Sequence, residues 1–142
     1  MAFFDSIQKE KIKTAIQEAE HQTSGEIRVC VEKNCKIEPI SRAAYFFKKL
    51  KMNKTEHRNG VLIYLAHADK KFAIIGDSGI HKHTGHEFWE EVKDIMKAHF
   101  IDGKIQEGVV EAVHKAGHKL KKFFPYEEGK KNELSDDVYD KG

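Results

Sequence analysis

A chain of 142 residues with 25 Lys and Arg against 23 Asp and Glu carries a net charge of +2, which excludes the strong basic excess of a nucleic-acid-binding domain. Its length suffices for one domain that buries a core without metal or disulfide staples. No apolar run nears the roughly 18 residues of a membrane span, and MAFFDSIQKEK lacks the basic start and apolar stretch of a signal peptide. The chain is therefore expected in the cytoplasm, with neither nucleic acid nor membrane as a partner.

From the N-terminus, Asp5 caps a first helix with Gln8 reaching back to it, and Ile7, Ile12, Ala15, Ile16 and Ala19 recur at helical spacing. This helix is expected to end near Gln22, before Thr23-Ser24-Gly25. EIRVCVE then alternates, with Ile27, Val29 and Val31 on one face of a strand and Glu26, Arg28, Cys30 and Glu32 on the other. Cys30 within that strand and Cys35 just beyond it read as two free thiols of a reducing compartment. Glu38-Pro39 starts a second helix, because proline fits the first helical position, and Ala43, Ala44, Phe47 and Leu50 supply its apolar stripe.

After a polar connection over 53–59, residues 61–66 are continuously apolar, as expected of a central strand covered on both faces. His67-Ala68-Asp69-Lys70 turns the chain back into a third strand over Lys71–Gly76, so the two form a hairpin. Thr84 with Glu87 reads as the capping box of a third helix, in which Phe88, Val92, Ile95 and Met96 face inward until Ile101-Asp102-Gly103 breaks it. A last helix carries Ile105, Val109, Ala112, Val113, Ala116 and Leu120 on one side and ends before Phe123-Phe124-Pro125. From Tyr126 the chain turns polar, with six acidic and three basic residues, which predicts a single domain over 1–125 and a loosely held tail over 126–142.

This order of elements predicts an α/β architecture with helices on both faces of a small mixed sheet. A right-handed strand-helix-strand connection makes the first two strands parallel, so Ser24-Gly25-Glu26 and Asn59-Gly60 start at the same edge. The third strand returns antiparallel and brings Gly76-Asp77-Ser78-Gly79 to that edge too. Glu26, Asn59, Asp77 and Ser78 then offer two carboxylates and further oxygens on permissive backbone, which is what a hard divalent cation seeks. Glu56 and Asp102 are further candidates, although the topology also allows Asp102 to fall at the opposite edge. The alternative is that the glycines serve turns and the acids cap nearby amides.

Other signals are thinner. His114 and His118 are four apart on the last helix but off its apolar stripe, and read as a solvated face. His81, His83 and His86 crowd the segment after Asp77, where they could supply a general acid or a nitrogen ligand, or simply lie on the surface. Ser78 sits in D-S-G rather than G-x-S-x-G, Cys35 has basic neighbours but no base beside it, and Lys119, Lys121 and Lys122 read as helix solvation. Trp89 beside Phe88 reads as core or a partner contact.

Taken in order, T-S-G-E-I-R-V, N-G-V-L-I-Y-L, K-K-F-A-I-I-G-D-S-G-I, F-W, E-G-V-V, F-F-P and N-E-L-S-D-D resemble the TPM domain family over nearly the whole chain. That family includes a thylakoid-lumen acid phosphatase and bacterial envelope proteins. The resemblance implies a three-layer α/β/α sandwich, a calcium or magnesium site in loops at one sheet edge, and phosphatase activity. Its motifs fall on Gly25-Glu26, Asn59-Gly60 and Asp77, while Ser135 stands where a proline is common. The expected function is a divalent-cation-binding regulatory or interaction module, a monomer whose partners are calcium or magnesium and a protein. The alternatives are a metal-dependent phosphomonoesterase, for which no catalytic residue is named, and a structural protein–protein interaction module.

Overall fold

A computed structural model describes residues 3–129 and 134–142. Helix α1 spans Ser6–Glu20 and opens with the expected reciprocal pair, the Gln8 amide donating to Asp5 and the Asp5 amide to the Gln8 side chain. Ile12, Ala15 and Ile16 are buried, whereas Ile7 is 68% exposed and lies outside the stripe. Strand β1 is Glu26–Glu32, helix α2 is Pro39–Lys49, and a 3-10 turn at Met52–Lys54 leads into strand β2, Gly60–Ala66. Strand β3, Lys71–Gly76, completes the hairpin, and helices α3, Ser78–Ile101, and α4, Ile105–Phe123, follow.

The sheet has the order β3-β2-β1-β4, with β4 at Tyr139–Asp140. β1 runs parallel to β2 with Glu26 opposite Gly60, and β2 runs antiparallel to β3 with Val61 opposite Gly76. Every residue of β2 is buried, as its unbroken apolar run requires. On one face Ile27, Val29, Val31, Val61 and Ile63 pack with residues of α1, α3 and α4; on the other Cys30, Leu62 and Tyr64 pack with Phe46, Phe47 and Met52. The result is the three-layer α/β/α sandwich.

Covering both faces decides the fate of the polar residues on β1. Glu32 is 4% exposed, and Arg42 of α2 clamps it through Nε at 2.7 Å and Nη2 at 2.9 Å while the Tyr64 hydroxyl donates to the same carboxylate. In α2 the buried stripe is Ala43, Phe46 and Phe47, the i, i+3, i+4 set, and Ala44 is exposed instead. Cys30 and Cys35 are both free and buried, and burial pushes the Cys30 thiol up to about 12, which keeps it unreactive.

Three elements differ from their sequence reading. α1 stops at Glu20, two residues short of the expected end near Gln22, and Thr23, outside the helix as expected, pairs with Pro125 as an isolated bridge. α3 begins at Ser78 with Asp77 as its N-cap, and the box at Thr84 and Glu87 does not form; Gly85, at φ 72° and ψ 177°, breaks the helix there while Thr84 Oγ1 donates to the His81 and Gly85 carbonyls. The polar tail is tied down where it is described: Tyr139 and Asp140 pair in parallel with Cys30 and Val31, and the Lys141 amide donates to the Val31 carbonyl. Leu134 and Tyr139 pack on the α2 face and Val138 on the other, a hydrophobic contribution hidden among the tail's charges. Ser135 Oγ accepts the Asp137 amide at 3.1 Å, holding that bend without a proline. Residues 130–133, which include the start of N-E-L-S-D-D, and residues 1–2 lie outside the described residues.

Candidate functional site

The parallel register of β1 and β2 and the antiparallel return of β3 bring three chain segments to one rim. The Glu26 amide donates to the Asn59 carbonyl at 3.4 Å and the Asp77 amide to the Gly60 carbonyl at 2.9 Å. Gly60 thus stands between Glu26 and Asp77, and Asn59 precedes it at the mouth of the central strand. Glu26 is fully buried, and Asn59 is 1% exposed with its Nδ2 donating to Ser24 Oγ at 3.4 Å. Asn59 Oδ1 is buried and has no hydrogen-bond partner among the described residues.

Asp77 is held by a cation of the chain itself. Arg58 donates to its two carboxylate oxygens at 2.7 and 2.8 Å, and the Ser78 amide adds a third bond at 2.7 Å. Arg58 takes φ 51°, a left-handed conformation unusual for a side-chain-bearing residue, and its side chain remains 52% exposed. The loop before it lies directly on the start of α3, where the Gly79 amide donates to the Arg58 carbonyl at 2.8 Å. A Cβ on Gly79 would fall well inside contact distance of the His57 and Arg58 carbonyl oxygens. Gly79→Ala is therefore expected to cost about 1–3 kcal/mol in urea unfolding, because two backbones must separate. An unchanged unfolding midpoint would show that this approach is loose.

A second acidic group flanks the rim. Glu20 ends α1 and its Oε2 accepts the Ile27 amide at 2.8 Å, replacing the strand partner that two-residue β4 is too short to supply. Burial, then a hydrogen bond with Asp136, then the charge of Glu26 push the Glu20 carboxyl far above the ordinary carboxylate range.

Two comparisons bear on this arrangement. The sequence profile of the TPM domain matches residues 1–119. The chain belongs to the TPM domain family. Among solved structures, the NMR structure of the BA42 protein from the psychrophilic bacterium Bizionia argentinensis is similar to this TPM domain, with a TM-score of 0.89 and 38% identity over 97% of this chain and 95% of that one. No curated protein matches the sequence.

The divalent cation that the family resemblance implies can be tested against these residues. Of the five read as ligands in the TPM domain, Glu26, Asn59, Asp77 and Ser78 share the rim, but Asp102 is the C-cap of α3. Phe100, two residues before it, meets Phe72 with ring centroids 5.0 Å apart, and Phe72 pairs with Leu65 at the far end of the hairpin. Asp102 is thus at the opposite end of the sheet. Among the described residues no group of three His, Cys, Asp or Glu side chains is disposed to hold a metal ion. The five do not fit one ion as a set; the four at the rim fit in part, through the Asn59 oxygen that has no partner among the described residues and the two acids whose backbones meet the same strand start.

Glu56 is exposed in the loop before Arg58. His81, His83 and His86 are exposed on the first turns of α3. The indole of buried Trp89 donates to His81 Nδ1 at 3.0 Å, His83 stacks on Phe123, and His86 lies 3.2 Å from Glu90. His114 and His118 lie on the exposed face of α4, as do Lys121 and Lys122. Sequence reasoning passed over Arg58, Glu20 and Asp136. Arg58 carries no periodic signal, but Glu20 continues the i+4 row of buried Ile12 and Ile16 and was legible on that ground.

Proposed function

We propose that this TPM domain is a divalent-cation-binding module that takes calcium or magnesium at the strand-start rim and signals its presence through the loop carrying Arg58. The observation that carries the reading is Asn59 Oδ1, a buried oxygen without a hydrogen-bond partner among the described residues, on the residue whose carbonyl accepts the Glu26 amide and which precedes the Gly60 that accepts the Asp77 amide. A buried carbonyl oxygen of this kind costs about 1–3 kcal/mol in desolvation, and an ion would offset that cost. Hard cations favour such neutral oxygens together with one or two carboxylates. Arg58 supports the reading because it shows that Asp77 already calls for a positive charge, and its half-exposed side chain can leave without unpacking the core.

Titration calorimetry of the whole chain with calcium chloride and magnesium chloride, after treatment with chelator, tests this. Binding of at least one ion by the natural sequence is expected, weakened roughly tenfold or more by Glu26→Gln and by Asp77→Asn, the loss of one charged ligand. Uptake of neither ion ends the reading. Chelator-sensitive turnover of p-nitrophenyl phosphate above a heat-denatured control would replace a binding module by an enzyme.

A further inference from the structure

At the end of the sheet opposite the rim, a cavity of about 530 Å³ opens between the β2–β3 hairpin, the last turn of α3 and the first turn of α4. Its size is that of a small-molecule site. The walls are apolar: Leu65 and Phe72 of the hairpin face Phe100 of α3 and Ile105 of α4. Ile101, at the lip, is 76% exposed, and Phe3 beside it is 38% exposed and stacks on His67. An apolar hollow with large aliphatic and aromatic groups left in water at its mouth is a surface that gains by being covered.

The charges around it have one sign. Lys70 from the hairpin turn and Lys97 from α3 line the cavity together with His67, the two lysines carrying the charge, and no acidic side chain among the described residues does. None of the three takes part in an ion pair among the described residues. The helix ends lean the same way. The last carbonyls of α3, at Ala98, His99 and Phe100, accept the amides of Asp102, Lys104 and Gly103, which blunts its negative pole. α4 opens at Ile105 without a side-chain cap, so its first-turn amides add positive partial charge at the cavity. Glu107 lies in that turn but does not line the cavity.

We infer that this cavity binds a small monoanionic amphiphile, a medium-chain aliphatic carboxylate, its tail against Leu65, Phe72 and Phe100 and its head group between Lys70 and Lys97. The charge complementarity selects an anion, and the apolar walls select a tail over a bare phosphate or nucleotide. The site is separate from the cation rim, and the inference does not rest on that reading.

The test is calorimetric titration of the whole chain with sodium decanoate below its micellar concentration, with decyltrimethylammonium bromide as the charge-reversed control. Decanoate is expected to saturate at one molecule per chain and to shift the amide resonances of Leu65, Phe72, Phe100 and Ile105 while leaving Asn59 and Gly60 unmoved. The ammonium compound should bind roughly tenfold or more weakly, and Lys70→Glu with Lys97→Glu should weaken decanoate by a similar factor. Both lysines are surface residues, so the double variant should keep the far-ultraviolet spectrum of the natural chain, and Ile101→Asp, at the exposed lip, should also reduce binding. The inference is overturned if decanoate does not bind, if the two head groups bind alike, or if the double variant keeps full affinity. Adsorption only to phosphatidylglycerol vesicles, without decanoate uptake, also overturns it.

Discussion

Replacing Arg42 by methionine is expected to remove about 3–5 kcal/mol from the stability of the fold, read as the shift in urea unfolding free energy. The Glu32 side chain is 5% exposed and lies between β1 and α2, where the Arg42 guanidinium supplies two of its three charge-assisted or hydroxyl bonds. Methionine keeps much of the aliphatic stem but loses the guanidinium, whose carbon lies 4.6 Å from the Phe46 ring centroid, and leaves a carboxylate buried with the Tyr64 hydroxyl alone. Burial alone would push the Glu32 carboxyl up, yet the bonds from Arg42 and Tyr64 outweigh it and hold the group below its ordinary value. A carboxyl lowered in the native state contributes stability that is complete above the ordinary carboxylate range and is lost as pH falls through the lowered value. Without Arg42 that loss begins at higher pH, so the acid unfolding midpoint of the variant should rise. Adding Glu32→Gln to Arg42→Met should restore part of the stability, because the uncompensated charge is gone. A double variant no better than Arg42→Met would mean that lost packing, not the stranded carboxylate, sets the cost.

The second large effect has the opposite sign. Glu20 is expected to stay protonated in the native state, its carboxyl pushed well above an ordinary 4.5 by burial, by Asp136 and by Glu26. Above that ordinary value, and until the raised group itself ionises, the native chain binds a proton that the unfolded chain has released, so this group makes stability fall as pH rises, by up to about 1.4 kcal/mol per pH unit. Glu20→Gln keeps the acceptor for the Ile27 amide and removes the titration. In chelator-treated protein, melting temperatures from about pH 5 to about pH 9 should therefore fall less steeply for the variant, which becomes the more stable of the two at the alkaline end. Parallel curves would place an ionised carboxylate at Glu20.

The contrast between these two acids shows what was legible in the sequence. Period-two alternation in EIRVCVE and the apolar run of β2 identified the sheet and its order of chain directions, and from those alone the meeting of Glu26, Asn59 and Asp77 followed. The pairing partners did not follow. Arg42 reaches Glu32 and Arg58 reaches Asp77 through the rotation of a helix and the path of a loop, neither of which has a period. Asp77 was read as a ligand, and the structure also gives it the role of N-cap, a local device that any acid before a helix can fill. The start of α3 was misplaced because Thr84 and Glu87 match a capping box by spacing, while Gly85 turns the backbone away from the one conformation in which that box closes. β4 escaped notice because two residues of strand carry no alternation, and their partner edge on β1 supplies the reason they pair.

That short strand bears on how the protein behaves at high concentration. With the segment around Tyr139–Asp140 laid along the outer side of β1 and Glu20 occupying the Ile27 amide, the sheet edge left open among the described residues is that of β3. Two copies joined through β3 would each turn a sealed margin outward, so growth by strand addition would stop at a pair and could not run on into a fibril.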